Sequence, residues 1–214
     1  DGHHAFEPKT FVTTVFVNMV AGPIDMNNGM FDLRQGHTTR VDESQPVPST
    51  LVSEAARTLI AFSGVTILPD IPEYYRKYPA LLNFLSAQKM PWKESRTLAG
   101  EIGEYIVMMR ETEDAYLVGA ATNESGRTID LPLSFLEKGK YTVEVIEDGD
   151  DAHYLTNRES LKVTTWQLTN NDKLALKLAP GGGACLVIKK TPSMRVGEQA
   201  AFPLVSPSWK IGRE

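Results

Sequence analysis

The spacing of hydrophobic residues changes near residue 90 of this 214-residue chain, and the change divides it into two unlike parts. Before residue 90, apolar residues recur at the spacing of helices. After it, short apolar runs alternate with turn residues at the roughly 8–12-residue spacing typical of β-sandwiches. The sequence therefore predicts an α/β part followed by an all-β part.

The first part contains three helical patterns and one strand pattern. Residues 8–20 predict a helix with one apolar stripe, and residues 50–61 predict a second. Residues 65–68 predict a buried strand, and a third helix begins near Pro72 and breaks at Pro79. Because three helices and one strand cannot cover both faces of a sheet, this part needs strands that it does not itself contain.

The second part contains seven strand patterns, at 104–110, 115–122, 128–135, 141–146, 161–168, 174–178 and 184–190. We interpret the glycine run 181–183 as a hairpin turn and the acidic run 147–151 as a solvated turn. Cys185 lies in a predicted strand, where a buried, inert thiol is expected. The predicted organisation is an α/β domain at 1–92, a β-sandwich at 93–190 and an irregular tail at 191–214.

Composition excludes several classes of protein. Twenty-two basic and 27 acidic residues give a formal net charge of −5, so the chain has no basic footprint for nucleic acid or an anionic membrane surface. No apolar run approaches the roughly 20 residues of a spanning helix. A single cysteine excludes an internal disulfide framework. The chain also starts abruptly, without a methionine or a leader, and we expect it to be cut from a longer protein that carries any targeting signal upstream.

The most reactive-looking residues lie directly before the first helix. Asp1, His3, His4 and Glu7 fall within seven residues. Carboxylates at such a junction suit calcium, which takes six to eight oxygen ligands from several segments. A glutamate there is also a candidate proton donor of the kind that glycosidases use. The alternative is that Glu7 caps the helix and the histidines lie on the surface.

Six sequence blocks together resemble glycoside hydrolase family 97, a family of α-glucosidases and α-galactosidases. They are AGPIDMNNG at 21–29, LPDIPEYY at 68–75, PWKES at 91–95, GEIGEYIV at 100–107, DGDDAH at 148–153 and LAPGGG at 178–183. The blocks follow the order of the family and cover about residues 1–190. The resemblance implies the end of a (β/α)₈ catalytic barrel followed by an antiparallel β-sandwich.

The resemblance also implies site residues and a cofactor. Glu7 matches the general acid of the family, which is thought also to touch a calcium ion, and Asp1 falls where a second acidic calcium ligand is expected. Asp25 and His4 are the implied substrate contacts. The implied compartment is the bacterial periplasm or the exterior.

The function implied is that of an exo-acting glycosidase that cleaves α-linked glucosides or galactosides with calcium assistance. Its partners would be an oligosaccharide or α-glycoside substrate and the missing N-terminal part, without which we expect this chain to be inactive. The second catalytic carboxylate would lie upstream, so an inverting and a retaining mechanism both remain open. The competing hypothesis is a non-catalytic carbohydrate-binding or structural β-sandwich. Trp92 and Trp166 are expected to be core or interface aromatics rather than a platform for sugars.

Overall fold

A computed structural model describes residues 7–24, 27–33, 47–63 and 66–192 of the chain. The helices are α1 (Pro8–Ala21), α2 (Leu51–Ile60), α3 (Pro72–Arg76) and α4 (Pro79–Ser86). The strands are β1 (Glu94–Glu101), β2 (Tyr105–Glu111), β3 (Tyr116–Thr122), β4 (Arg127–Pro132), β5 (Lys140–Asp148), β6 (Leu161–Thr169), β7 (Lys173–Leu178) and β8 (Gly183–Lys190). None of the helices in these ranges is long and apolar enough to cross a membrane.

The strands form two antiparallel sheets. Six of them make a sheet in the order β1-β2-β3-β8-β5-β6, and β4 pairs with β7 in a two-stranded sheet. Strands β7 and β8 are consecutive but lie in different sheets, so the predicted hairpin at 181–183 is wrong. The turn instead carries the chain from one sheet to the other, and Gly181 supports this path with a φ of 63°, which favours glycine.

The six-stranded sheet separates two hydrophobic cores. In β2, Ile106 and Met108 pack into a helix-side core together with α1 and α2, whereas Val107 and Met109 pack into a strand-side core under β4 and β7. Central strands covered on both faces read as continuous apolar runs, which is what the sequence of β2 shows. Cys185 lies in the helix-side core, as predicted, and burial raises the pKa of its thiol well above the usual value.

Helix α2 lies unusually close to the six-stranded sheet because glycines face it. A Cβ atom at Gly119 would approach the carbonyl oxygen of Ala56 to 2.9 Å, and one at Gly183 would approach Cα of Ser53 to 2.7 Å. The Thr50 hydroxyl caps the helix by accepting from the Ser53 amide at 3.1 Å. The β-sheet part therefore fixes the position of this helix.

The apolar stripes of the two long helices are buried differently from the prediction. The helix predicted at 50–61 is confirmed, but all ten residues of α2 are buried rather than one face. In α1, Phe11, Val12 and Val15 are buried, but Met19 is 45% and Val20 is 92% exposed. Phe16 still packs against the helix-side core, so the stripe is largely exposed only at its C-terminal end, at Met19 and Val20.

The seven strands predicted in the β part are confirmed, but one further strand there was missed and the strand predicted in the α/β part is not found among the described residues. The seven predicted strands correspond to β2–β8, with ends that differ by no more than three residues. Strand β1 was not predicted, because its exposed edge sequence Glu94–Glu101 is polar and does not alternate. Of the strand predicted at 65–68, Val65 lies outside the described residues, and residues 66–68 form no strand, because no strand among the described residues lies beside them to supply ladder hydrogen bonds.

Candidate functional site

Glu7 stands directly before α1, half-buried, as the sequence predicts. Its side chain makes no capping hydrogen bond to the helix. The exposed amide of Lys9, in the first turn, donates instead to Oε1 of Glu124 at 3.1 Å, from the turn after β3. Glu7 therefore occupies the N-cap position, where its carbonyl oxygen accepts from the Phe11 amide at 3.1 Å, and Glu124 is a second carboxylate at the same helix end.

The other predicted site residues, Asp1, His4 and Asp25, lie outside the described residues. Within the described ranges, no group of three or more histidine, cysteine, aspartate or glutamate side chains could hold a metal ion. Calcium takes six to eight oxygen ligands, so Glu7 with its described neighbours does not form a calcium site on its own.

A buried ion pair within α2 was not predicted from the sequence. Glu54 is 3% and Arg57 is 1% exposed, and Nη1 of Arg57 donates to Oε1 of Glu54 at 3.0 Å. The other carboxylate oxygen of Glu54 accepts from the amides of Gly29 and Met30 at 3.1 and 3.3 Å. Glu54 thus ties the AGPIDMNNG block to α2. The only sequence signal for the pair was its three-residue spacing inside an apolar helix.

Asp148 is a second buried charge, where a solvated turn was predicted. It is 2% exposed, and its Oδ2 accepts from the amides of Ala179 and Gly183 at 3.0 and 2.8 Å. A Cβ atom at Gly182 would collide with this carboxylate, so glycine is required there. Two of the sequence blocks, DGDDAH and LAPGGG, therefore meet at one hydrogen-bonded cluster beside the start of α2.

Burial raises the pKa of Asp148 to about 6, although hydrogen bonds from Thr50, Ala179 and Gly183 act in the opposite direction. The pKa in the folded state lies above the ordinary value of 3.8, so the folded state holds this proton more tightly than the unfolded state. The resulting stabilisation is fully present below about pH 4 and is lost as the pH rises through about 6.

We therefore expect Asp148→Asn to flatten the pH dependence of stability between about pH 4 and 6, by up to about 3 kcal/mol. The asparagine oxygen can still accept from both amides. Urea denaturation of the parent and the variant across this pH range measures the difference. Asp150→Asn is the matched control. Lys177 lowers the pKa of exposed Asp150, so any effect of this substitution on the pH dependence of stability should be opposite in sign to that of Asp148→Asn. The prediction would be contradicted if the free energy of unfolding changed with pH in the same way in the parent and in Asp148→Asn.

An apolar pocket of about 560 Å³ opens between the ends of α1 and α2 and the segment before β1. Arg110 closes one wall, where it donates to the carbonyl oxygens of Leu59 and Ile60 at 3.3 and 3.1 Å. Its guanidinium lies 4.5 Å from the ring centre of Trp92, which in turn packs on Phe62. Trp92 is thus a packing aromatic, and the pocket suits an apolar segment better than a sugar.

Comparison with known proteins accounts for both parts of the chain. Residues 91–189 match a family model described as glycosyl-hydrolase 97 C-terminal, oligomerisation. The chain is also 31% identical over 182 residues, 85% of its length, to the retaining α-galactosidase of Bacteroides thetaiotaomicron. The chain belongs to glycoside hydrolase family 97. The resemblance seen in the sequence blocks is confirmed.

Further relatives agree with this family 97 assignment. A probable retaining α-galactosidase of Streptomyces bingchenggensis is 27% identical over 139 residues, 65% of this chain and 20% of the relative. A family 97 enzyme of Pseudoalteromonas sp. strain K8, solved in complex with acarbose and with panose, is 29% identical over 87% of this chain, with a TM-score of 0.79. The chain spans 27% of the Bacteroides enzyme and 29% of the Pseudoalteromonas enzyme.

Proposed function

We propose that this chain is the C-terminal part of an exo-acting α-glycosidase that hydrolyses α-linked galactosides or glucosides. The observation that carries the proposal is the match to the retaining α-galactosidase, because it covers 182 residues. It therefore includes helical residues before 91 as well as the sandwich matched by the family model. The relatives' names favour a retaining mechanism, and the acarbose and panose complexes favour α-glucosides as an equal substrate class.

We propose that residues 1–92 close a (β/α)₈ barrel whose remaining strands belong to a longer protein. Exposed apolar side chains are concentrated on this part of the chain: Val17, Met19, Val20, Phe62, Ile67, Leu68, Ile71 and Met90. Three of them, Met19, Phe62 and Met90, line the pocket at the end of α1. Exposed apolar side chains concentrated in this way are typical of an interface, and neighbouring barrel elements would cover them.

Within such an enzyme, Glu7 would donate a proton to the glycosidic oxygen as the bond to the anomeric carbon breaks. A second carboxylate, outside the described residues, would attack that carbon in a retaining mechanism. We also propose that calcium assists catalysis. Asp1 and Glu7 would supply two of its ligands, and the rest must come from elsewhere, so no step is assigned to the ion.

The sandwich would serve two purposes in this proposal. Its glycines allow α2 to approach closely, and the carbonyl oxygens of Gly181 and Arg158 accept from the amides of Thr50 and Leu51. Helix α2 in turn holds the AGPIDMNNG block through Glu54. The C-terminal domain would therefore position the residues next to the catalytic face as well as contribute to oligomerisation.

Activity assays test the proposal directly. The purified 214-residue chain and the product of the whole reading frame that contains it would be assayed with p-nitrophenyl α-galactoside and α-glucoside. We expect turnover only by the longer product, and a loss of that turnover when EDTA removes calcium. A longer product that cleaves neither substrate would contradict the glycosidase proposal. Turnover by the short chain would contradict its dependence on the missing part, and EDTA-resistant activity would contradict the role of calcium.

A further inference from the structure

Strand β6 is an edge of the six-stranded sheet that no other described strand covers. It has one neighbour among the described strands, β5, and every second residue of an edge strand directs its backbone amide and carbonyl away from that neighbour. None of the nine residues of β6 is buried, whereas five of the nine in β5 are. The sequence of β6 favours strand pairing, because most of its residues are β-branched or aromatic: Val163, Thr164, Thr165, Trp166 and Thr169.

The opposite edge carries the protection that β6 lacks. Strand β1 has charged side chains at Glu94, Arg96 and Glu101, and a register irregularity between Thr97 and Ala99. Charges and bulges are the usual means of preventing an edge strand from pairing with another chain. The only charged side chain of β6, Lys162, is already paired with Glu147 of β5, with Nζ 3.4 Å from Oε1.

At β6, each of the two hydrophobic cores ends in an apolar side chain that is partly exposed to solvent. Val163 lies opposite Ile146, on the face of the helix-side core, and is 43% exposed. Trp166 lies opposite Val143, on the face of the strand-side core, and is 50% exposed. An added antiparallel strand with the same two residues would extend both cores at once.

We propose that β6 is the oligomerisation edge, and that a second copy of this chain pairs its own β6 antiparallel to it. The proposal rests on the oligomerisation role described for residues 91–189 and names its surface. A two-fold axis between the two β6 strands, perpendicular to the sheet and level with their middles, would satisfy the outward backbone groups of both copies and join the two sheets into one. The interface would be isologous, with each Val163 and each Trp166 contacting the same short stretch of the partner strand.

The test is sedimentation velocity of the 214-residue chain and two double variants at micromolar concentration. In Val163→Lys/Trp166→Lys, lysines on both faces of β6 should oppose pairing, so we expect the apparent mass to fall about twofold. The matched control is Val17→Lys/Val20→Lys, which places the same charges on the other exposed apolar surface, at 56% and 92% exposed positions. This control should remain a dimer, and the far-ultraviolet circular dichroism of all three chains should coincide.

Three results would overturn the proposal. A monomeric parent chain would contradict it and the oligomerisation role together. A dimer that survives the β6 lysines but not the α1 lysines would place the contact at the barrel-facing surface, and would leave oligomerisation itself in place. A shift of tryptophan fluorescence on addition of melibiose or maltose, lost in Trp166→Phe, would assign the edge to a sugar. None of these results bears on the glycosidase assay, so failure of the two proposals can be told apart.

Discussion

Replacing Glu54 by alanine is expected to lower the free energy of unfolding by about 3–5 kcal/mol. The carboxylate accepts from Arg57 and from two backbone amides, all in the buried interior. Burial lowers the pKa of Arg57, and the charge of Glu54 is the largest influence that opposes this. Nε and Nη2 of Arg57 already lack hydrogen-bond partners among the described residues. Without Glu54, the guanidinium would lose its ion pair and keep its contact with the Phe11 ring, 4.7 Å away.

Urea denaturation of a small series of variants measures this loss and its source. Glu54→Gln keeps an oxygen for the amides of Gly29 and Met30 but removes the charge, so it isolates the ion pair. Adding Arg57→Met to Glu54→Gln removes both charges, and we expect this double variant to be more stable than Glu54→Gln alone. A cost below about 1 kcal/mol for Glu54→Ala would contradict the account, because exposed sites typically show such values.

The sequence predicted the elements whose patterns depend only on their own residues. Helix α1 followed from its apolar stripe and from Pro8 at its first position, which is found in the structure. Strands β5 and β7 followed from strict alternation, because each has one face in the strand-side core. The α1 stripe was only half buried, since a sequence pattern identifies an apolar face without showing what covers it.

The features that depend on distant partners could not be predicted. Asp148 lies in an acidic run that reads as solvated, and only the fold brings the amides of Ala179 and Gly183 to its carboxylate. The three glycines at 181–183 were correctly seen as a turn, but which sheet each flanking strand joins depends on long-range pairing. Strand β1 was missed because an exposed, charged edge has no reason to alternate.

The structural roles of the sequence blocks depend on contacts between two blocks, or between a block and α2. The AGPIDMNNG block is held by Glu54 of α2, and the DGDDAH block is held by the LAPGGG block. Each of these contacts needs a particular residue at both ends, a carboxylate on one side and amides or a side-chain-free glycine on the other. The blocks therefore contact one another, or α2, through residues that are far apart in the sequence.

In the longer glycosidase proposed above, Glu7→Gln is expected to lower kcat on p-nitrophenyl and natural α-glycosides by about 10²–10⁴-fold, the usual contribution of a general acid. The loss should be much smaller for a dinitrophenyl glycoside, whose leaving group departs without a proton. Glu124→Gln is the matched control, because Glu124 lies at the same end of α1 and accepts from the Lys9 amide. It should leave kcat within about threefold of the parent, since it acts on the helix rather than on the substrate.

Equal losses of kcat for both leaving groups would show that Glu7 positions the site without donating the proton. A kcat that is unchanged in Glu7→Gln would place the general acid at another residue.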